Sequence, residues 1–294
     1  MTASYPRTTV ARRALEDGKW RQGRAPWPGG ARCVVALTID FDGRSNEAGK
    51  GFAPLGLHSA GRYSARRGVH RHLDMLQRLG LPTTFFVPGY DVRTAPEVVR
   101  DIVGGGHEIG AHGYKHEGTL MPPDEEERRL VLAHHILADA IGTEPVGWRS
   151  PSGQKTSTTM RVLRQLNYRY DSSDKDFDMP YLLDYADGRD PMVEIPNNTL
   201  SLNDTPWYNV SMTPASEVEE QWKAEFDAIY ADRGYFLLTY HPRSGFGSGT
   251  PARAAAVEGL VRHILGHRDV TFVRMRELAD WVLAKRADFE EVAI

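Results

Sequence analysis

Two histidines four residues apart are the most conspicuous chemical pair in this chain. His112 and His116 lie in the stretch HEIGAHGYKH, residues 107–116. If this stretch closes a helical turn, the two imidazoles point the same way and offer two neutral nitrogen ligands to a divalent metal. Histidine pairs with this spacing are also common on solvated helices, so two structural histidines are the simpler interpretation of the stretch by itself. His107, at its start, is interpreted as structural.

Two acidic residues end the first apolar run of the sequence. Arg32 to Ile39 reads RCVVALTI, a continuous run with β-branched residues that is typical of a strand buried on both faces. Asp40 and Asp42 follow it, with Phe41 between them. Side chains alternate along a strand, so both carboxylates are expected on the same face and within reach of one site.

Other polar residues follow later apolar segments: Arg149, Asp171 and His241. Each has a structural explanation, because acids cap turns, arginines lie on surfaces and histidines can be satisfied in a core. As a set, however, their chemistry is complementary. One aspartate and two histidines leave open positions on a zinc-like ion. A second carboxylate can take a proton from water, a separate histidine can protonate a leaving nitrogen, and an arginine can hold the pKa of the carboxylate down.

The elements that position these residues alternate between strand and helix along the chain. Strands are predicted at 32–39, 83–87, 107–111, 145–148, 168–171, 192–195, 235–240 and 270–273. Helices are predicted at 66–79, 96–103, 124–141, 157–166, 217–231, 252–265 and 275–287. Short connections and the absence of a linker predict one α/β domain with a parallel sheet.

A (β/α) barrel and an open doubly wound sheet both fit this alternation. The polar residues follow five different strands, which is what the C-terminal mouth of a barrel brings together, whereas an open sheet gathers its site at one switch point. We therefore predict a single-domain, distorted (β/α)7–8 barrel over residues 31–294. Residues 1–30, rich in Arg, Gly, Pro and Trp, are predicted to form an arm that packs on the body or on another subunit.

Composition excludes several classes of protein. A net charge of -3 and a pI near 6.4 give no pull toward nucleic acid or anionic membranes. No apolar segment reaches the ~18 residues of a membrane span, and the N-terminus carries no signal-like apolar region. We therefore expect a cytoplasmic protein without nucleic-acid or membrane partners. Cys33, the one cysteine, lies in an apolar run and is interpreted as a core residue.

Five short motifs, taken together, resemble the polysaccharide deacetylase (NodB-homology) family. In chain order they are Thr38–Asp42 (TIDFD), His112–His116 (HGYKH), Arg149–Gly153 (RSPSG), Tyr170–Ser172 (YDS) and Leu237–Pro242 (LLTYHP). They occur in the family's order and span nearly the whole predicted body. The fold that the resemblance implies is a distorted (β/α) barrel, in agreement with the alternation of elements.

The resemblance also implies roles for individual residues. The metal, Zn²⁺ or another divalent transition metal, would be held by Asp42, His112 and His116. Asp40 would be the general base with Arg149 as its orienting partner, and His241 would be the general acid. The implied activity is hydrolysis of a non-peptide C–N bond, with removal of N-acetyl groups from an amino sugar or glycan.

One departure from the family's common pattern bears on the substrate. The two acids are usually adjacent, whereas Phe41 separates them here. This spacing resembles an intracellular branch that includes peptidoglycan deacetylase-like proteins, cyclic imide hydrolases and metal-independent allantoinases. The alternatives are therefore a cytosolic amidohydrolase of cyclic imides or ureides, possible without a metal, and a non-catalytic carbohydrate-binding barrel that has lost its chemistry.

Further residues are candidates for binding the substrate, which would be a small amide, an imide or an N-acetylated sugar. They are Asn46, Glu47, Tyr114, Pro151, Asp171 and Trp207. The Gly-rich run 43–63 is a candidate for a lid or a subunit contact. Relatives in the intracellular branch are homo-oligomers, so the resemblance implies a dimer or tetramer.

Overall fold

A single mixed sheet of ten strands carries the fold. The computed structural model describes residues 27–117, 121–197 and 201–294. The strands are β1 (Cys33–Asp40), β2 (Thr84–Val87), β3 (Glu108–Ala111), β4 (Gly147–Trp148), β5 (Tyr170–Asp171), β6 (Tyr181–Asp184), β7 (Met192–Glu194), β8 (Tyr235–Tyr240), β9 (Val270–Phe272) and β10 (Glu291–Ala293).

The order of the strands is that of an opened barrel. It runs β10-β6-β7-β5-β4-β3-β2-β1-β8, with β9 also paired to β1. From β1 to β5 the strands follow one another in sequence without the reversal that marks a doubly wound sheet, and β8 lies on the other side of β1. All strand pairs are parallel except β6 with β7. The predicted α/β class with a mostly parallel sheet is confirmed, and no ladder joins β8 to β10 among the described strands.

Two strands of the sheet were not predicted. The segment between the predicted strands 168–171 and 192–195 contains β6, which is antiparallel to β7, and the segment after the predicted helix 275–287 contains β10, which pairs with β6. Both strands have only three or four residues. A period of two cannot be recognised over so few positions, so these strands could not be predicted from the pattern of apolar residues.

Helices connect the strands and cover the sheet. They are Ser45–Gly49, Ala60–Tyr63, Val69–Leu79, Gly89–Thr94, Pro96–Gly104, Pro123–Ile141, Ser157–Gln165, Ala215–Ala231, Pro251–Leu265 and Met275–Ala284. Several begin at a proline, whose fixed φ suits the first helical turn and whose missing N–H has no partner there in any case. Within the described ranges, no helix has both the length and the apolar character needed to cross a bilayer.

Strand β1 pairs with three other strands and lies second from one end of the strand order. All eight of its residues are buried, as the continuous apolar run predicts. It pairs with β8 from Val34 to Ile39, and on its other edge with β9 near its start and β2 near its end. Of the predicted arm, residues 1–26 lie outside the described residues. Trp27 is buried and donates its indole N–H to the Arg233 carbonyl at 2.9 Å.

His72 is a buried imidazole on the helix Val69–Leu79, and its ring packs against Tyr240 of β8. It is 1% exposed, and its ring stands edge-on to that of Tyr240 at 4.9 Å between centroids. Its Nε2 atom has no hydrogen-bond partner among the described residues. Burial, with a smaller effect from Arg71, lowers the pKa of His72 to about 4, despite a hydrogen bond to the Ser248 backbone.

This buried imidazole makes the free energy of unfolding sensitive to acid. An exposed histidine in the unfolded chain titrates near 6.5. Below that pH the histidine is protonated in the unfolded chain but stays neutral in the native protein. The contribution of His72 to the free energy of unfolding is therefore complete above pH 6.5 and is lost as the pH falls toward 4. Replacing His72 by Gln should reduce the loss between pH 7 and pH 5 by about 2 kcal/mol. Urea unfolding of the metal-free proteins at both pH values measures this difference. Equal losses in both proteins would contradict it.

Candidate active site

Five side chains from the ends of four strands converge at one edge of the sheet. Asp40 is the last residue of β1, and Asp42 lies just beyond it. His112 follows β3, Arg149 follows β4 and His241 follows β8. These strands are parallel, so their carboxyl ends lie at the same edge. All five side chains are almost fully buried.

The two acids of β1 reach the same site across a tight turn. The Asp42 N–H donates to the Asp40 carbonyl at 2.9 Å, and the Gly43 N–H donates to the Phe41 carbonyl at 3.0 Å. Phe41 is fully buried in the hydrophobic core. The extra residue between the acids is thus accommodated by core packing, and both carboxylates remain directed toward the histidines.

Asp42, His112 and His116 form a group with the donor types of a metal site. One ligand atom from each lies within 4.8 Å of the other two. His112 Nε2 is 3.7 Å from Asp42 Oδ1, and His116 Nε2 is 3.3 Å from Asp42 Oδ2. The histidines meet through a turn rather than the predicted helical turn. That turn has positive φ at Gly113 (65°) and at His116 (57°).

Hydrogen bonding around this group fits a bound cation. His112 Nδ1 lies 2.8 Å from the Arg149 carbonyl and can only donate to it, so His112 Nε2 carries the lone pair. That lone pair faces Asp42 Oδ1, a buried oxygen with no hydrogen-bond partner among the residues that the structure describes. Two acceptors that face each other in a buried site repel unless a cation or a hydrogen-bond donor lies between them, and a metal ion would satisfy both. Imidazole nitrogens and a carboxylate oxygen suit a divalent transition metal.

The pKa values of this group agree with a cationic occupant. Burial opposes the charge of Asp42, but His116 and the other nearby imidazoles outweigh it and hold the pKa of this carboxyl well below its usual range. Burial lowers the pKa of His112 and keeps its ring neutral. Asp42 therefore presents a carboxylate, and His112 a free nitrogen, at neutral pH.

Arg149 is a buried guanidinium that connects two strand ends. Its Nη1 donates to Thr38 Oγ1 and to Asp40 Oδ1, both at 2.8 Å. Its Nε and Nη2 donate to the Ser172 carbonyl at 3.1 Å and to Ser172 Oγ at 3.0 Å. The guanidinium also lies 4.1 Å from the centroid of the Phe86 ring. Every part of this side chain is held, so it fixes the orientation of Asp40.

Asp40 is an ionised carboxylate at neutral pH. Burial would raise its pKa, but the charge of Arg149, followed by His112 and His241, keeps that pKa below 3.8. Asp40 Oδ2 lies 3.9 Å from His241 Nε2. The site therefore contains a proton acceptor beside the three potential metal ligands.

His241 is a protonated imidazole held by Asp204, a residue whose role sequence reasoning missed. His241 Nδ1 lies 2.6 Å from Asp204 Oδ1, and Asp204 Oδ2 accepts from the His241 N–H at 2.9 Å and from Ser248 Oγ at 2.7 Å. Burial opposes the charge on His241, but Asp204 outweighs it and raises the pKa to about 9. Asp204 lies in a short helical turn, with no spacing that relates it to His241, so its residue type was the only signal.

Asp91 and Arg243 fix the segment that follows β1. The carboxylate of Asp91 is fully buried and accepts the N–H groups of residues 43, 44 and 45 at 3.0, 2.7 and 3.0 Å. Burial raises the pKa of Asp91 to about 6. Arg243 donates to the carbonyls of Asp42 and Gly43, both at 2.8 Å, and pairs with Glu47. At the start of run 43–63, hydrogen bonds therefore hold both the backbone N–H groups and the backbone carbonyls.

The candidate substrate-binding residues divide into buried and accessible ones. Asp171 is fully buried and pairs with Lys155 at 2.5 Å, and Glu47 is buried in its pair with Arg243. These two order the chain beside the site and do not face an opening. Asn46 is partly exposed and accepts from Lys50 at 2.9 Å.

Tyr114 and Pro151 line a pocket beside the turn that carries the histidines. Trp148, Gln154 and Arg129 also line it. Trp207 is partly buried elsewhere and donates its indole N–H to the Ser201 carbonyl at 2.7 Å. His107, interpreted as structural, packs against Phe85 with 5.6 Å between ring centroids. Tyr114 and Pro151 therefore lie on a concave surface next to the turn that carries His112 and His116.

Comparisons with known proteins identify relatives of this chain. Residues 59–170 match the family model described as polysaccharide deacetylase. The peptidoglycan deacetylase of Helicobacter pylori is 29% identical over 282 residues, covering 84% of this chain and 95% of that protein. The crystal structure of a putative polysaccharide deacetylase from Mycobacterium smegmatis is 32% identical, with a TM-score of 0.80 and coverage of 91% and 95%. That of Puue allantoinase has a TM-score of 0.82 and coverage of 96% and 99%, but 24% identity, so it shows likeness of fold.

Removing one imidazole from the group should abolish metal binding at this group. We expect His112→Ala to bind one metal ion per chain fewer than the wild type, because two remaining ligands hold a divalent ion far more weakly. Elemental analysis of dialysed protein measures the bound metal. His107→Ala, which removes another histidine of the same stretch, is the matched control and should keep the metal at this site. Retention of that metal by His112→Ala would show that the ligands are assigned wrongly.

Proposed function

Because the chain belongs to the polysaccharide deacetylase family, we propose that it is a metal-dependent hydrolase that removes N-acetyl groups from an amino sugar or glycan. The observation that carries the proposal is Asp42 Oδ1, which has no hydrogen-bond partner within the described part of the chain and faces the lone pair of His112 Nε2. The base candidate Asp40 and the acid candidate His241 both lie beside this pair. A non-catalytic barrel would be expected to lack a ligand, the base or the acid, and each of them is present.

The metal site would supply the electrophile of the reaction. A zinc ion, or another divalent transition metal, held by Asp42, His112 and His116 would polarise the amide carbonyl and lower the pKa of water from about 15.7 toward about 7. The protein's own contribution is a buried site with fixed charges, where electrostatic interactions are stronger than in water.

Proton transfer is assigned to two residues with opposite charge states. Asp40, kept ionised by Arg149, takes a proton from the attacking water as the new C–O bond forms. His241, kept protonated by Asp204, donates its Nε2 proton to the departing nitrogen as the C–N bond breaks. The products are acetate and a free amine. General acid–base catalysis of this kind typically contributes about 10²–10⁴-fold to the rate.

The relatives divide on the choice of substrate. The H. pylori relative, named a peptidoglycan deacetylase, aligns over 95% of its length and favours an N-acetylated glycan. The second candidate is hydrolysis of a cyclic imide or ureide, with or without a metal. It is favoured by the two acids separated by Phe41 and by the likeness of fold to Puue allantoinase. A cytoplasmic location and assembly into a dimer or tetramer stay predictions.

Substrate and metal requirement can be tested together. An N-acetylated chitooligosaccharide and a cyclic imide are each incubated with the purified protein before chelation, after exhaustive chelation, and after zinc is restored. We expect acetate release from the oligosaccharide that chelation removes and zinc restores. Unchanged turnover of the imide by metal-free protein, with no acetate release, would instead support the second candidate.

The assignment of His241 predicts that Asp204 controls protonation of the leaving group. Asp204→Asn removes the carboxylate that stabilises the imidazolium, so kcat for amide hydrolysis should fall by about 10²-fold or more. The kcat of Asp204→Asn for an aryl acetate should fall far less, because its phenolate leaves without being protonated. Steady-state kinetics on both substrates measures this split.

Ser248→Ala is the matched control for this variant. It removes one hydrogen bond to the same carboxylate but leaves the contact between Asp204 Oδ1 and His241 Nδ1 intact. Its kcat should stay close to that of the wild type. An equal loss on both substrates in Asp204→Asn would indicate a purely structural role.

A further inference from the structure

A second pair of histidines lies on the helical surface of the molecule. His263 is in the last turn of the helix Pro251–Leu265, and His267 follows four residues later. Their Nε2 atoms lie 2.7 Å and 3.4 Å from the same oxygen, Oδ1 of Asp227, on the neighbouring helix Ala215–Ala231. One donor atom from each of the three residues lies within 4.8 Å of the other two. All three side chains are partly exposed, so this group is open to ions from solvent.

This pair repeats the arrangement of His112 and His116. Both pairs are separated by four residues. The ring centroids are 4.9 Å apart at 64° in the surface pair and 5.2 Å apart at 69° in the buried pair. In each pair one ring has its Nδ1 atom against a backbone carbonyl and its Nε2 atom facing an aspartate.

The tautomer of His267 leaves its Nε2 as an acceptor. Its Nδ1 lies 3.0 Å from the His263 carbonyl and must donate there. In the neutral ring, Nε2 therefore presents a lone pair to Asp227 Oδ1, 3.4 Å away. Two acceptors at that distance repel each other unless a cation lies between them. A backbone carbonyl that orients the imidazole in this way is the usual outer support of a metal-bound histidine.

Aromatic packing holds the two rings in place before any ligand arrives. Phe226 stands edge-on to both imidazoles, with centroids 6.0 Å from His263 and 5.0 Å from His267. Tyr230 stands edge-on to His267 at 4.8 Å. Two of the three donors are thus restricted in their rotamers, which reduces the entropy lost when an ion is bound.

We propose that Asp227, His263 and His267 form a second binding site for a divalent transition metal. Two imidazoles and one carboxylate suit Zn²⁺ and related ions. Bonds of about 2.0–2.1 Å in a tetrahedral site place ligand atoms roughly 3.3 Å apart, so the observed 2.7 Å and 3.4 Å need only a small adjustment. The ion cross-links the helix Ala215–Ala231 to the end of the helix Pro251–Leu265, with water in the remaining position.

Metal stoichiometry distinguishes this site from the one at the strand ends. Metal-free wild type is titrated with Zn²⁺ by calorimetry and should bind two ions per chain. His267→Ala should bind one ion, His112→Ala one ion, and the double variant none. His135→Ala, which removes an exposed histidine outside both groups, should still bind two.

Thermal unfolding gives an independent readout that does not use catalysis. Zinc should raise the unfolding midpoint of His112→Ala, because an ion that binds the folded chain stabilises it, and the shift should disappear when His267→Ala is added. If His112→Ala does not fold, the number of ions bound per chain by the wild type and by His267→Ala still tests the proposal. The wild type should bind one ion more than His267→Ala. The same number of bound ions in the wild type and in His267→Ala would overturn the proposal, whereas a wild type with one ion that His267→Ala loses would count only against the metal site at the strand ends.

Discussion

The buried guanidinium of Arg149 is the interaction on which the site depends. The guanidinium donates to Thr38 and Asp40 at the end of β1 and to Ser172 beyond β5. The backbone carbonyl of Arg149 accepts from His112 and fixes the orientation of its ring. One residue thereby sets the charge of the base and the tautomer of a metal ligand. Removing one partner of a buried ion pair typically costs about 3–5 kcal/mol, because the other charge is left unpaired. The base, the ligands and the strand ends are therefore energetically coupled.

Much of the fold could be predicted from periodicity. The predicted bounds of β1, of the helix ending at Leu79 and of the helix ending at Ile141 are close to the observed ones, because burial imposes clear patterns over eight or more residues. Short elements escaped prediction. The run 43–63 contains the helices Ser45–Gly49 and Ala60–Tyr63, each too short to show a period. Their conformation depends on distant partners such as Asp91, which no local pattern reveals.

The site could be predicted where a residue type is rare and its place in a motif is fixed. Asp42, His112 and His116 come together as the motifs suggested. Asp204 could not be predicted as the partner of His241, because the two residues are 37 positions apart in the sequence and come into contact only in the folded chain. Asp171 was expected to face the substrate, yet burial and Lys155 give it an internal role. Sequence identifies which residues are reactive, whereas three-dimensional packing decides which of them support the others.

The central claim is that Asp40 accepts the proton while Asp42 and the histidines hold the metal. The most direct test is deacetylation of an N-acetylated oligosaccharide by Asp40→Asn, with bound metal measured on the same sample. Asparagine keeps an oxygen for Arg149 but loses the negative charge that accepts a proton. The account predicts unchanged metal content and a fall in kcat of at least about 10²-fold. Turnover close to that of the wild type, with the metal in place, would contradict it.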